Sequence, residues 1–213
     1  LARESHHAQV RQRFSTCALA IYLRLAAGDR AVAYRQEGSS MRRKDREIMD
    51  PLELRDVLEK ADVCRIALSS KEGPYIVPLN FGFEWDGALV LYFHGANVGR
   101  KLDLMRRNGR VGFEVDVDHL ILRDGSACEW GMRYRSIIGT GWLSQVADED
   151  GKRRAVDAIM RHYGFQGQPT YHELTFSSTA VLRLDVEKMS GKKNALSFAT
   201  DAATGRDAGA RDP

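Results

Sequence analysis

The feature that most constrains the fold is an Asp-Gly pair at residues 86–87, which separates two strand-like stretches. Residues 75–84 and residues 88–93 flank the pair, and both are rich in aromatic and branched apolar side chains. Asp-Gly in this position is typical of a β-hairpin, because a type I′ turn requires positive φ at both central residues. The sequence therefore predicts an antiparallel hairpin near the middle of the chain.

A basic segment follows this hairpin and opens a helix predicted over residues 98–107. Asn97 is the expected N-cap, and Arg100 and Lys101 lie in the first turn. Free N–H groups and the positive end of the helix dipole favour an anion at such a position, and the two cations strengthen that preference. A solvated basic helix face is the alternative, but the position directly after a strand favours a phosphate site.

Two other helices are predicted from capping residues and apolar periodicity. The helix over residues 51–60 has Asp50 as its N-cap and proline at its first position, and it is expected to bury Leu52, Val57 and Leu58. The helix over residues 151–163 is amphipathic and is expected to turn Tyr163 towards the core. Each of these helices therefore has one face available to cover a sheet.

Strand-like alternation recurs in four further stretches, residues 63–68, 110–117, 133–146 and 180–187. Residues 118–130 are expected to be irregular. After the helix over residues 151–163, a loop is expected up to residue 178. The total is about six strands and three helices with short connections, which favours an antiparallel sheet that closes into a barrel. The predicted fold class is mainly β with flanking helices (α+β).

Composition excludes several classes of protein. The 213 residues are 43% hydrophobic and 29% charged, which suits one globular domain. The net charge of +3 is too small to indicate nucleic-acid binding, and no apolar run approaches the ~18 residues of a membrane span. The three cysteines, Cys17, Cys64 and Cys128, are widely spaced, so no disulfide framework is predicted. No metal site is predicted either, because His162 and His172 do not have the spacing of metal ligands. This cysteine usage favours a cytoplasmic protein.

The character of the sequence changes at Met41, the first methionine of the chain. We expect a domain over residues 41–197, preceded by an N-terminal extension over residues 1–40 that is not part of the native domain. A secretion signal is the alternative for this extension, because basic residues precede the apolar stretch 17–23. The small, polar and charged residues 198–213 predict a flexible C-terminal tail.

Five short motifs together resemble a known family. They are MRRKDREI at residues 41–48, YIVPLNFG at 75–82, LYFH at 91–94, GRKLD at 99–103 and YRSIIG at 134–139. In order and spacing they resemble the nitroimidazole-resistance branch of the pyridoxamine 5′-phosphate oxidase-like flavoproteins, over about residues 41–195. The resemblance implies a six-stranded antiparallel split β-barrel that forms a homodimer and binds FMN in clefts at the dimer interface.

The resemblance also implies roles for individual residues at the FMN site. They are Val77, Pro78, Leu79 and Asn80 along the flavin ring, His94 at the strand end, Arg100 and Lys101 at the phosphate, and Arg135 and Ser136 from the long later strand. His94 is the candidate catalytic group, because an imidazole can donate a proton or a hydrogen bond near neutral pH. A hydrogen-bonded structural histidine is the alternative for this position.

An FMN-dependent oxidoreductase is the activity that the resemblance implies. Reduced FMN would transfer a hydride to a small, flat, electron-poor aromatic substrate such as a 5-nitroimidazole. The sequence does not identify the electron donor, because it contains no nicotinamide-binding motif. The alternatives are a non-catalytic protein that binds flavin, haem or the drug on the same fold, and a pyridoxamine 5′-phosphate oxidase-type oxidase. The oxidase is disfavoured because its C-terminal substrate-binding signature is missing.

Overall fold

Eight β-strands and four α-helices form the part of the chain that the computed structural model describes, residues 41–123 and 125–195. The strands are β1 (Glu47–Ile48), β2 (Cys64–Leu68), β3 (Tyr75–Leu79), β4 (Phe81–Asp86), β5 (Ala88–Ala96), β6 (Arg110–Leu122), β7 (Gly131–Gln145) and β8 (Thr179–Asn194). The helices are α1 (Pro51–Lys60), α2 (Arg100–Arg107), α3 (Glu149–His162) and α4 (Glu173–Ser178). The expected N-terminal extension, residues 1–40, and C-terminal tail, residues 198–213, lie outside the described residues.

The order of the strands shows that the sheet is curled. All pairs are antiparallel, and the order across the sheet is β3-β2-β6-β7-β8-β5-β4, with β1 beside β8. β3 and β4 lie at opposite ends of this order, yet only Asn80 separates them in the chain. The two ends of the sheet must therefore meet. Counted as one bent strand, β3 and β4 complete the six-stranded antiparallel split β-barrel, so the predicted fold class is confirmed.

The bend at Asn80 corrects the expectation of one strand over residues 75–84. β4 pairs with β5 from Phe81 onwards, whereas Leu79 still pairs with β2 on the other side of the barrel. The chain changes its partner strand within two residues, and the cause is long-range pairing rather than a local breaker. Because β3 leaves β5 at this point, the barrel has a split between β3 and the end of β5.

The hairpin predicted at Asp86-Gly87 is confirmed, although its turn differs from the expected type. Asp86 pairs directly with Ala88, so Gly87 alone separates the paired residues of β4 and β5. Gly87 has a φ of 74°, whereas Asp86 is not among the residues with positive φ. A type I′ turn needs two such residues, so the connection is tighter than a type I′ hairpin.

The interior of the barrel holds one apolar core, because alternate residues of each strand point inwards. Its fully buried strand members include Ile66, Leu68, Phe81, Leu91, Phe93, Val115, Ile137 and Leu184. Helices α1 and α2 add Leu54, Val57, Leu58, Leu102, Leu104 and Met105 to the same cluster. Burying each such side chain stabilises the fold by about 1.5–3 kcal/mol.

The N-cap predicted for α1 is confirmed, but its predicted buried face is partly wrong. The Asp50 carboxylate accepts a hydrogen bond of 2.9 Å from the Leu52 amide. The Leu52 side chain is 74% exposed, and Leu54 is buried instead. Leu54, Val57 and Leu58 follow the i, i+3, i+4 spacing of one helix face, which leaves the second helical residue outside it.

Helix α3 packs on the outside of β4 and β5 and approaches β4 at a glycine. A Cβ at Gly82 would lie 2.4 Å from the Ile159 backbone nitrogen, so the two backbones are in direct contact. Tyr163, expected to face the core, is 42% exposed and is the C-cap residue of α3. The chain leaves the helical repeat at this residue, so its ring does not continue the inner face of the helix.

Three further boundaries differ from the predictions. β6 continues to Leu122 through a register shift at Asp118, whose φ is 59°, although residues 118–130 were expected to be irregular. α4 occupies part of the expected loop, and β8 continues to Asn194 instead of ending near residue 187. The added residues of β6 pair with the start of β7 as a hairpin, Leu122 with Gly131, whereas those of β8 pair with residues far earlier in the chain, Asn194 with Tyr134. None of the helices in the described residues is long and apolar enough to cross a membrane.

Candidate functional site

The split in the barrel brings a helix start and two strand edges together. Within the described residues β3 pairs only with β2, and residues 94–96 of β5 pair only with β8. The first turn of α2 contacts both strands, because Arg100 lies over the Tyr75 ring on β3 and Lys101 lies against Gly95 on β5. The split is therefore the candidate binding site.

Lys101 is a half-buried cation that has no counter-charge in the part of the chain that the structure describes. A Cβ at Gly95 would lie 2.7 Å from the Lys101 Nζ, so the ammonium group rests directly on the backbone of β5. Burial lowers the pKa of the Lys101 side chain, and among the described residues no carboxylate pairs with it. A desolvated cation of this kind is stabilised by an anionic ligand.

The backbone at the start of α2 adds hydrogen-bond donors beside Lys101. The N-cap is Gly99, with a φ of 125°, and its carbonyl accepts from the Leu102 and Asp103 amides at 2.9 and 3.2 Å. The amides of the first two helical residues have no intrahelical acceptor, as at any helix start. Asn97 is not the N-cap, which corrects the prediction. Its side-chain amide instead donates to the Ser177 carbonyl at 3.5 Å.

Arg100 is held away from Lys101 by contacts with β3 and the turn before it. Its Nη2 donates to the Glu72 carboxylate at 2.6 Å, and its guanidinium lies 4.9 Å from the centre of the Tyr75 ring. A cavity of about 410 Å³ lies beside it. Its lining includes the cations Lys71 and Arg107 and the carboxylates of Glu72 and Asp103. An anion at the helix start would therefore compete with Glu72 for Arg100.

The edge of β3 that faces the split has no strand partner among residues 41–123 and 125–195, so its backbone groups are available to a ligand. Val77 and Leu79 are half-buried on its inner face, whereas Pro78 and Asn80 are exposed. The opposite edge of β3 is satisfied by β2, where Val77 pairs with Ile66. An edge with free N–H and C=O groups can hydrogen-bond a planar heterocycle as it would a neighbouring strand.

His94 lies at the same end of β5 but on its other face. Consecutive strand residues point to opposite faces, so the exposed His94 side chain points away from the face of Gly95 on which Lys101 rests. In the described residues its ring has no hydrogen-bond partner, unlike a structural histidine. The structure thus places His94 near the split and separates it from Lys101 by the thickness of the strand.

Arg135 and Ser136 lie on β7 and are not brought to the split within one chain. β2 and β6 separate β7 from β3, a path of about 14 Å across the sheet at the usual strand spacing. On the other side, β8 pairs Arg135 with Lys193, far along the strand from Val181, the partner of His94. The Arg135 side chain is 16% exposed and donates to Asp56 and Asp118, each at 2.6 Å. The predicted site residues therefore form two groups, one at the split and one on β7.

Gly95 and Gly99 are site residues that the sequence reasoning missed. Gly95 leaves room for the Lys101 ammonium group, and the positive φ of Gly99 turns the chain from β5 into α2. A pair of glycines between a strand and a basic helix start was the available signal in the sequence. No group of three or more potential metal ligands occurs in the ranges that the structure describes.

The outer face of β3, β2, β6 and β7 exposes large apolar side chains. Ile76 on β3 is 61% exposed, and Ile138 and Trp142 on β7 are 56% and 51% exposed. Between them Arg65 donates to the carboxylates of Glu114 and Asp116 on β6, at 3.0 and 2.6 Å. This face carries apolar groups and both signs of charge, a composition suited to a self-complementary contact.

Comparisons with known proteins identify relatives of this fold. The family described as pyridoxamine 5′-phosphate oxidase matches residues 50–193. A proposed 5-nitroimidazole antibiotic resistance protein from Bacteroides thetaiotaomicron is 32% identical, with a TM-score of 0.60 over 69% of this chain and 86% of that chain. No curated protein is significantly similar in sequence.

Two more distant structures share the fold. An FAD and haem binding protein from Mycobacterium smegmatis is 22% identical, with a TM-score of 0.61 over 70% of this chain and 74% of that chain. A flavocytochrome from Azotobacter vinelandii is 18% identical, with a TM-score of 0.59 over 72% of each chain. At these identities the likeness concerns the fold alone.

Proposed function

The chain belongs to the pyridoxamine 5′-phosphate oxidase-like family, and on that basis we propose that it is an FMN-dependent oxidoreductase. The observation that carries the proposal is Lys101, a half-buried ammonium group at a helix start that no carboxylate of the described residues neutralises. A phosphate at this position would accept hydrogen bonds from the ammonium group and from the first amides of α2. The residues at the split thus fit the phosphate end of FMN.

The edge of β3 is the proposed place for the flavin ring. The backbone of residues 77–80 can donate to and accept from the edge of an isoalloxazine, and the half-buried Val77 and Leu79 pack behind it. Arg100 would exchange Glu72 for the phosphate, which needs only a side-chain rotation because both groups are exposed. The chain would in this way bind both ends of the cofactor from neighbouring elements.

The proposed substrate is a small, flat, electron-poor acceptor such as a 5-nitroimidazole. Support comes from the relative that is 32% identical, because its name assigns it to 5-nitroimidazole resistance. When bound and reduced, the flavin would supply a hydride to this acceptor. The exposed imidazole of His94 is the candidate proton donor, and the other residues hold and orient the reactants.

We also propose that the active form is a homodimer. The exposed Ile76, Ile138 and Trp142 lie on one continuous sheet face, and a second copy would cover them. Because β2 and β6 separate Arg135 and Ser136 from β3 of their own chain, we expect these two residues to contact a flavin on β3 of a second copy across such an interface. Free Cys64 and Cys128 suit the reducing cytoplasm, which is the proposed compartment.

An absorbance spectrum of the purified protein, with mass analysis of the released chromophore, tests the cofactor assignment. Flavin bands and an FMN mass support it, whereas a Soret band, or no uptake of added FMN, contradicts it. Lys101→Ala should weaken FMN binding by about ten- to a hundredfold, because it removes a charge-assisted contact. Arg106→Ala is the matched control, since it removes the same charge from the far end of α2.

Turnover separates the oxidoreductase from a protein that only binds flavin. The chemically reduced holoprotein should be reoxidised by a 5-nitroimidazole with formation of a reduced product. His94→Gln should lower this rate by a larger factor than it lowers FMN affinity, whereas His172→Gln, at an exposed position before α4, should leave both unchanged. Absence of any reduced product would leave only the binding role.

A further inference from the structure

The hydroxyl group of Tyr163 makes three hydrogen bonds at the point where the barrel splits. It accepts from the Asn80 side-chain amide at 3.1 Å and from the Phe81 backbone amide at 3.2 Å. It also donates to the Asp62 carbonyl, between α1 and β2, at 2.5 Å. One hydroxyl therefore joins the end of α3, the junction of β3 and β4, and the segment that precedes β2.

The end of α3 that carries Tyr163 is itself fixed on β4. Direct backbone contact at Gly82 sets the helix position two residues after the junction. His162 packs against the rings of Phe81 and Phe83, at 4.5 and 5.8 Å between ring centres. Its Nε2 lies 2.8 Å from the Ala61 carbonyl oxygen, so a second polar contact reaches the same segment before β2.

These contacts matter because the junction is a single residue. At Asn80 the chain leaves β2 and crosses to β5, and β3 has no strand partner on its split-facing edge in the described residues. The direction of β3 therefore depends on its pairing with β2 and on the contacts that fix the position of Asn80. Tyr163 supplies the second restraint from outside the barrel.

We propose that Tyr163 is a positioning residue for flavin binding, because its hydroxyl fixes the bend at Asn80 and so sets the angle at which β3 meets the ring. This inference rests on the proposed function, in which the flavin lies along β3. Tyr163 does not touch the reacting atoms. It acts through Asn80 and through the Phe81 amide, which donates to this hydroxyl.

Tyr163→Phe tests the inference, because it removes the hydroxyl and keeps the ring. In the flavin-free variant, hydrogen exchange at the Phe81 amide should become faster, while exchange at core amides such as that of Val115 stays unchanged. FMN affinity should fall by about tenfold, as expected for losing the net effect of one or two hydrogen bonds. The visible circular dichroism of bound flavin should also change at saturating FMN, which a loss of stability alone does not produce.

Tyr171→Phe is the matched control. It also removes one tyrosine hydroxyl bonded close to α3, since the Tyr171 hydroxyl donates to Asp157 at 2.6 Å, and this bond does not involve the junction of β3 and β4. FMN affinity and the dichroism of this variant should equal those of the wild type. Tyr163→Phe with wild-type affinity and dichroism would overturn the positioning role while leaving the proposed function intact, and so would unchanged exchange at Phe81. A wild-type protein that binds no FMN would overturn both.

Discussion

Replacing Gly82 with alanine tests how α3 is seated on the barrel. A Cβ at this position would lie 2.4 Å from the Ile159 nitrogen and 2.5 Å from the Ala158 carbonyl carbon. Both are backbone atoms, so no side-chain rotation relieves the overlap. Ordinary contact begins near 3.4 Å, and the helix must therefore move away from β4 by about 1 Å.

The size of the effect follows from what this movement disrupts. Forcing an extra carbon into a close-packed contact costs about 1–3 kcal/mol. Displacing α3 also stretches the bonds from Tyr163 to Asn80 and Phe81, each worth about 1 kcal/mol. We expect Gly82→Ala to lower the free energy of unfolding by roughly 3 kcal/mol or more, out of the ~5–15 kcal/mol typical of a domain.

Urea unfolding followed by far-ultraviolet circular dichroism measures this change. Gly112→Ala on β6 is the control, because the nearest atoms to its added Cβ lie at 3.7 and 3.9 Å. There the substitution should change the free energy of unfolding by no more than about 1 kcal/mol. If Gly82→Ala were as mild as this control, direct backbone contact between α3 and β4 would be refuted.

Three further predictions concern single groups. Asp50→Ala should cost about 1 kcal/mol in urea unfolding, because the Leu52 amide loses its cap. Burial raises the pKa of the Cys64 thiol to about 12, so iodoacetamide at neutral pH should label exposed Cys128 and spare Cys64, as peptide mass mapping would show. Burial raises the pKa of Tyr92 from 10.0 to about 12, so the free energy of unfolding should fall as the pH rises between these two values. Tyr92→Phe should reduce this fall when the free energy of unfolding is measured against pH.

The barrel was predictable because much of its information is local. An Asp-Gly pair, alternating apolar residues and capped helix starts are signals within a few residues, and they gave the hairpin, α1 and the fold class. The bend at Asn80 was not predictable in this way, since it arises from a change of partner from β2 to β5. The extension of β8 beyond its predicted end depends likewise on long-range pairing with β7, whereas the extension of β6 pairs with the adjacent start of β7 as a hairpin.

The candidate site shows the same division between local and long-range information. The anion preference of the α2 start could be argued from Arg100 and Lys101 in sequence, and the structure places both residues in that first turn. Their different environments could not be predicted from the sequence, because the contacts come from other parts of the chain. Arg100 binds Glu72 in the turn before β3, and Lys101 lies against Gly95 on β5. The roles expected for His94, Arg135 and Ser136 stay predictions.

The bend at Asn80 links the stability of the fold to the candidate site. The same residue that lets β3 and β4 close the barrel also leaves one edge of β3 without a strand partner among the described residues. Unpaired backbone groups on a strand edge are costly when shielded from water and satisfied when a ligand or another chain meets them. Contacts that hold the bend from outside, as Tyr163 does, keep that edge in place before any ligand arrives. Substitutions at the junction should therefore alter ligand binding and local stability together, whereas substitutions on the far side of the barrel should alter stability alone.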